Sequence, residues 1–122
     1  IQCGEDALLA AQYGVKGIIV SNHGGRQLDL VRSSVEVLQE VMETLRENGF
    51  SEKLHVFVDG GIRRGSDVFK CLALGARAVG IGRPTLYGLA GYGQPGVERV
   101  IEILQDELET TMRLMGTPTL DE

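Results

Sequence analysis

The chain has 122 residues, 43% hydrophobic and 24% charged, with a formal net charge of −5. That is the size and make-up of one globular domain, spanning residues 1–122. The acidic balance argues against a nucleic-acid footprint, which needs clustered Lys and Arg, and no apolar run approaches the ~20 residues of a membrane-spanning helix.

In chain order, a helix is expected from Asp6, closed by Gly14 in the left-handed conformation that helix ends favour. A short apolar strand through Ile18, Ile19 and Val20 then runs straight into Ser21-Asn22-His23-Gly24-Gly25-Arg26-Gln27. This polar cluster combines a potential proton acceptor, a guanidinium and two glycines. Over residues 34–48, the spacing of Val35, Leu38, Val41, Met42 and Leu45 predicts an amphipathic helix. Residues 54–58 (LHVFV) read as a second buried strand, ending in Asp59-Gly60-Gly61-Ile62-Arg63-Arg64-Gly65. A helix starting near Ser66 ends at Gly75, and a third short strand leads into Gly80-Ile81-Gly82-Arg83. The last helix is expected from about Gly96 to Met115.

Residues 6–22 and 67–83 repeat the same plan at an offset of 61: apolar helix, glycine, basic residue, short apolar strand. Strands this short and without clean alternation predict burial on both faces and a parallel sheet, joined by right-handed crossovers. The class is therefore α/β, and the repeated βα unit suggests part of a (βα)₈ barrel, with ligands at the C-terminal ends of the strands. In the second and third strand ends, glycines admit backbone N–H groups to a ligand. The helix N-termini that follow favour an anion, and arginines can fork onto phosphate. Barrels of this kind commonly hold phosphate on the loops after strands 7 and 8.

Other residues read more plainly. His55 is structural and Arg64 solvated; Asp106, Glu107 and Glu109 form a charged helix face; Tyr87 and Tyr92 pack near the third loop. Cys3 and Cys71 are packing residues, too few for a disulfide framework, and favour a reducing compartment. The expected setting is soluble and cytoplasmic, with a mitochondrial one open. Leu120-Asp121-Glu122 does not read as a peroxisomal address, and no metal site is expected. A first residue of Ile rather than Met reads as a fragment, a processed product or part of something longer.

The stretch Ser-Asn-His-Gly-Gly-Arg-Gln resembles the active-site signature of the FMN-dependent α-hydroxy-acid oxidases and dehydrogenases. Val-Asp-Gly-Gly-Ile-Arg-Arg-Gly and Gly-Arg-Pro are similar to that family's FMN-phosphate loops. The resemblance covers essentially the whole chain and is strongest toward the flavocytochrome-type L-lactate dehydrogenases of fungi. It implies the C-terminal part of a TIM barrel, about three of eight βα units. It also implies FMN as cofactor and oxidation of an L-2-hydroxy acid such as lactate to the 2-keto acid. On that likeness His23 is the base and Arg26 pairs with the substrate carboxylate. Ser21 touches the flavin ring, Asp59 binds ribityl hydroxyls, and Gly60, Gly61, Ile62 and Arg63 surround the ribityl-phosphate. Gly82 and Arg83 complete the phosphate site.

The likeness further implies a lysine beside the flavin just ahead of Ile1. Tyrosines, a carboxylate orienting the histidine and a second substrate arginine belong to the rest of the barrel. The isolated chain is therefore expected to be inactive and to pair with the missing barrel half, or with itself as a homo-oligomer, because a half-barrel leaves open edges and an apolar interior. A second reading is a truncated half-barrel without flavin chemistry. It would act on a small carboxylate through His23 and Arg26, or serve only as a scaffold. A third, another phosphate-binding barrel, does not explain the paired histidine and arginine.

Overall fold

A computed structural model describes residues 1–120; Asp121 and Glu122, and with them the reading of the C-terminal Leu-Asp-Glu, lie outside the described residues. The elements are α1 (Gly4–Gln12), β1 (Gly17–Val20), α2 (Ser34–Glu47), β2 (His55–Asp59), α3 (Gly65–Leu74), β3 (Ala78–Gly80), α4 (Arg83–Tyr92) and α5 (Gln94–Met115), with a 3₁₀ turn at His23–Gly25. The strands form one sheet in the order β1-β2-β3. Both pairings are parallel, with Val20 opposite Val58 and Asp59 opposite Gly80. The α/β class and parallel crossovers thus hold, and the sheet is a partial one. Among the described residues, no helix is long and apolar enough to cross a membrane.

The expectation of burial on both strand faces does not hold. Ile18, Val20, Val56 and Val58 are buried, whereas Ile19 is 57% and Phe57 37% exposed. Successive side chains of a strand point to opposite faces, and all the helical packing falls on one of them. The strand sequences are apolar on both sides, but this chain covers only one.

That covered side is built by local rules. Ser33 starts α2, where its hydroxyl and N–H both donate to the Glu36 carboxylate, at 2.7 and 3.2 Å. The buried stripe then runs through Val37, Leu38, Val41, Met42 and Leu45. Val35, expected in the stripe, is instead 40% exposed, because Ser34 and Val37 occupy the inward positions of that first turn.

The internal repeat extends to a structural detail. Gly4 and Gly65 begin α1 and α3, and both are buried. A side chain at Gly4 would collide with Thr44 of α2, and one at Gly65 with the α5 backbone at Leu108. The Gly4 N–H donates to Glu40 of α2 and the Gly65 N–H to Glu107 of α5, each at 2.8 Å. Each repeat therefore docks its helix start onto a glutamate of another helix.

The unexpected element is α4. It opens with Pro84 in its first turn, a position where proline loses no hydrogen bond. It crosses α5 at a glycine pair, where a Cβ on Gly88 would stand 2.6 Å from the Gly96 carbonyl oxygen. Tyr87 and Tyr92, expected to pack, are 71% and 82% exposed on α4.

Candidate functional site

Parallel pairing delivers the C-terminal ends of all three strands to one edge, where a cavity of about 540 Å³ opens. That volume lies within the range of small-molecule and cofactor sites. The loop after β1 contributes His23, Gly24 and Arg26; the loop after β2 contributes Asp59, Gly60, Gly61, Ile62 and Arg63; Gly82 and Arg83 come from the β3–α4 junction. Nine of the ten residues singled out from sequence thus meet in one cavity. Ser21 does not line it.

The β1 loop takes an unusual backbone path. His23, Gly24 and Gly25 all have positive φ, at 53°, 62° and 71°. Such a conformation is uncommon for a residue with a side chain and is held only where surrounding contacts determine it. Here the Ser21 hydroxyl accepts from the His23 N–H at 3.1 Å, and the Asn22 side-chain oxygen accepts from the Gly24 N–H at 2.9 Å. The side chains of His23 and Arg26 are left at the exposed rim. Ser21 therefore shapes the turn that carries His23.

Strand alternation puts Asp59 on the uncovered sheet face with Phe57. Its Oδ1 is shielded from solvent and has no hydrogen-bond partner among the described residues. A buried acceptor without a donor at a cavity wall is a place for a ligand hydroxyl or amide. Next to it, Gly60 and Gly61 have φ of 89° and 84°, accessible to glycine at little cost. A Cβ at Gly61 or Gly82 would stand in open space, so at these points the backbone itself faces the cavity. Ile62 is buried in the core and offers the cavity its backbone.

The arginines divide. Arg26, Arg63 and Arg83 outnumber Asp59 at the cavity, a local cationic excess in an acidic chain. Arg83 reaches across from β3 to donate from Nη2 to the Gly24 carbonyl at 3.1 Å, joining two of the loops. Arg64, expected to be solvated, is 71% exposed and also pairs with Glu107 at 2.8 Å. Glu107 is accordingly more than part of a charged face.

One expectation changes sign. The N-terminus of α3 does not wait for an anion, because Asp67 accepts from the Arg63 and Arg64 N–H groups at 3.0 Å and Glu107 accepts from Gly65. Those two carboxylates take up three N–H groups at this end and set negative charge against the helix dipole. The helix start that lines the cavity is that of α4, at Gly82, Arg83 and Pro84. It follows the third strand as an extra helix, the arrangement many barrels use to hold phosphate.

Sequence reasoning passed over Asn22, Ser34 and Gln2. The Gln2 amide donates to the Ser21 carbonyl. Asparagine just before a His-Gly-Gly turn is itself a turn signal, whereas nothing local marks the other two. Cys71 is buried, and desolvation holds its thiol above the usual range, which suits packing rather than reactivity.

Comparison with known proteins places these features in context. The profile of a family described as FMN-dependent dehydrogenase matches residues 1–122. An L-lactate dehydrogenase (cytochrome) of Wickerhamomyces anomalus is 54% identical over 122 residues, all of this chain and 21% of that protein. The peroxisomal (S)-2-hydroxyacid oxidase GLO3 of Arabidopsis thaliana is 56% identical over 118 residues, 97% of this chain and 31% of its own length. Among solved structures, the flavin-binding domain of baker's yeast flavocytochrome b2 superposes with a TM-score of 0.97 at 54% identity, covering 100% of this chain and 31% of that one. A variant of flavocytochrome b2 solved with pyruvate bound gives the same TM-score of 0.97. The chain thus spans between a fifth and a third of the length of these relatives.

Proposed function

The chain belongs to the FMN-dependent dehydrogenase family, and from that premise we propose that it forms one side of a flavin site oxidising an L-2-hydroxy acid to the 2-keto acid. The observation that carries this is the cavity itself. A buried, unpartnered Asp59 oxygen, bare backbone at Gly61 and Gly82, and the guanidinium groups of Arg63 and Arg83 converge there. These groups fit FMN: Asp59 would accept from ribityl hydroxyls, and Gly60, Gly61, Ile62, Arg63, Gly82 and Arg83 would hold the phosphate. When bound, FMN would accept the two electrons released by the substrate.

The remaining chemistry falls to the β1 loop. Arg26 would grip the substrate carboxylate through two parallel N–H donors, fixing orientation as well as charge. His23 would take a proton from the substrate, a task suited to neutral imidazole. Ser21, just past the end of β1, would meet the flavin ring. One flavocytochrome b2 variant is solved with pyruvate bound and another with benzoylformate, both 2-keto acids. The exposed Ile19 and Phe57 would be covered by the other strands of a closed barrel, and the complete site would form there.

The test compares FMN with riboflavin. The intact protein is expected to bind FMN at least 100-fold more tightly than riboflavin, and Arg63→Ala to remove most of that difference. Equal affinities for the two flavins would sink the phosphate assignment. Retention of a small carboxylate through His23 and Arg26 without flavin would favour the non-redox half-barrel.

A further inference from the structure

We propose that Asn22, anchored by the buried hydroxyl of Ser34, is a positioning residue for the backbone turn that carries His23; this rests on the reading of His23 as the base. The Asn22 side-chain oxygen takes the Gly24 N–H at 2.9 Å, closing the turn immediately beyond His23, and the Asn22 carbonyl takes the Gly25 N–H at 3.0 Å. Its amide nitrogen reaches the Arg32 carbonyl at 3.5 Å. Asparagine is suited to this place because one planar group accepts on one side and donates on the other. Aspartate only accepts.

The anchor is Ser34, 1% exposed in the first turn of α2, whose Oγ accepts the Asn22 N–H at 3.2 Å. Its depth ties the exposed turn to the rigid core stripe of α2. The same two groups also set the spacing to the next loop. A Cβ on Gly60 would stand 2.6 Å from Asn22 Oδ1 and 3.1 Å from Ser34 Oγ, so the loop of Asp59, Gly60 and Gly61 rests against them. Asn22 therefore fixes the left-handed backbone of His23 and its distance from the loop assigned to the cofactor. Arg83 holds Gly24 from the opposite side. Within the turn, the Ser21 hydroxyl takes the His23 N–H, so Asn22 acts beside Ser21 and ties the turn to α2 through Ser34.

Variants of Asn22, Ser34 and His23 in the intact FMN-loaded protein test this. Asn22→Ala is expected to slow bleaching of the flavin by L-lactate ten- to a hundredfold, with KM and FMN affinity within twofold of the parent. In a His23→Ala background the same change should cost nothing further, since a group acting through His23 has nothing left to position. Asn22→Asp keeps the acceptor for Gly24 and adds a negative charge, so its acid limb of the rate profile should move to higher pH. Ser34→Ala should behave as a milder Asn22→Ala, and Ser34→Thr should restore the parent rate.

A readout free of cofactor is amide exchange, which at Gly24 should quicken at least tenfold in Asn22→Ala while α2 keeps its protection. Unchanged exchange, additive loss with His23→Ala, or parallel loss of FMN binding would each overturn the assignment alone. A parent whose flavin L-lactate does not bleach would overturn the reading of His23 as well.

Discussion

Glu107→Ala removes one side chain that serves two elements. Its Oε2 accepts the Gly65 N–H at 2.8 Å, and its Oε1 pairs with Arg64 at 2.8 Å. The first contact is a charge-assisted bond to a helix N-terminus in a part-buried setting, worth about 1.5–3 kcal/mol. The second involves an arginine side chain 71% exposed, so it adds at most ~1 kcal/mol. Together the loss should be about 1.5–4 kcal/mol. Urea unfolding followed by circular dichroism reads it directly, with the slope unchanged and the midpoint lowered. Glu107→Gln, which keeps an acceptor for Gly65, should cost about half as much, and Arg64→Ala at most ~1 kcal/mol. If Glu107→Ala costs no more than Arg64→Ala, the docking of α3 on α5 through Gly65 is not what holds this corner.

Gly96→Ala places a methyl group against the Gly88 backbone, and forcing α4 from α5 should cost about 1–3 kcal/mol in the same unfolding assay. Because α4 begins at the cavity, FMN affinity should fall with it. Asp59→Ala removes the buried acceptor and should weaken FMN about 10- to 100-fold, with far-UV circular dichroism unchanged. The Glu40 carboxyl is held below its ordinary value of 4.5 first by the Gly4 N–H and then by Arg32, and that of Glu36 by its bonds to Ser33. A depressed carboxyl stabilises the folded state above its unfolded pKa and loses that contribution as pH falls through the folded one. The unfolding midpoint should therefore drop below about pH 4.5, and less steeply in Glu40→Gln.

Where the controlling physics is local, it is legible in the chain. Gly14 and Gly75 end helices with φ of 79° and 111°, as the flanking pattern requires. The His-Gly-Gly-Arg and Asp-Gly-Gly-Ile-Arg stretches declare a ligand site by residue type, and the parallel register brings them together. The uncovered face is not legible, because the strand of Ile18, Ile19 and Val20 is apolar at every position and periodicity cannot say which side a helix covers. Helix α4 escapes because Gly88 and Gly91 interrupt its pattern; at Gly88 the reason is the crossing with Gly96. The capping of α3 is equally hidden, since Glu107 lies 42 residues from the N–H it accepts. That long-range contact turns an expected anion-binding terminus into an occupied one, whereas the start of α4 lines the cavity.

The flavin spectrum of the intact protein, after FMN is added and free cofactor is removed by gel filtration, bears most directly on the proposed site. Retained flavin absorbance that bleaches when L-lactate is added without oxygen is the expected result. Retained flavin that stays oxidised would leave a phosphate cradle without the chemistry assigned to His23 and Arg26, and loss of the flavin from well-folded protein would contradict the site altogether.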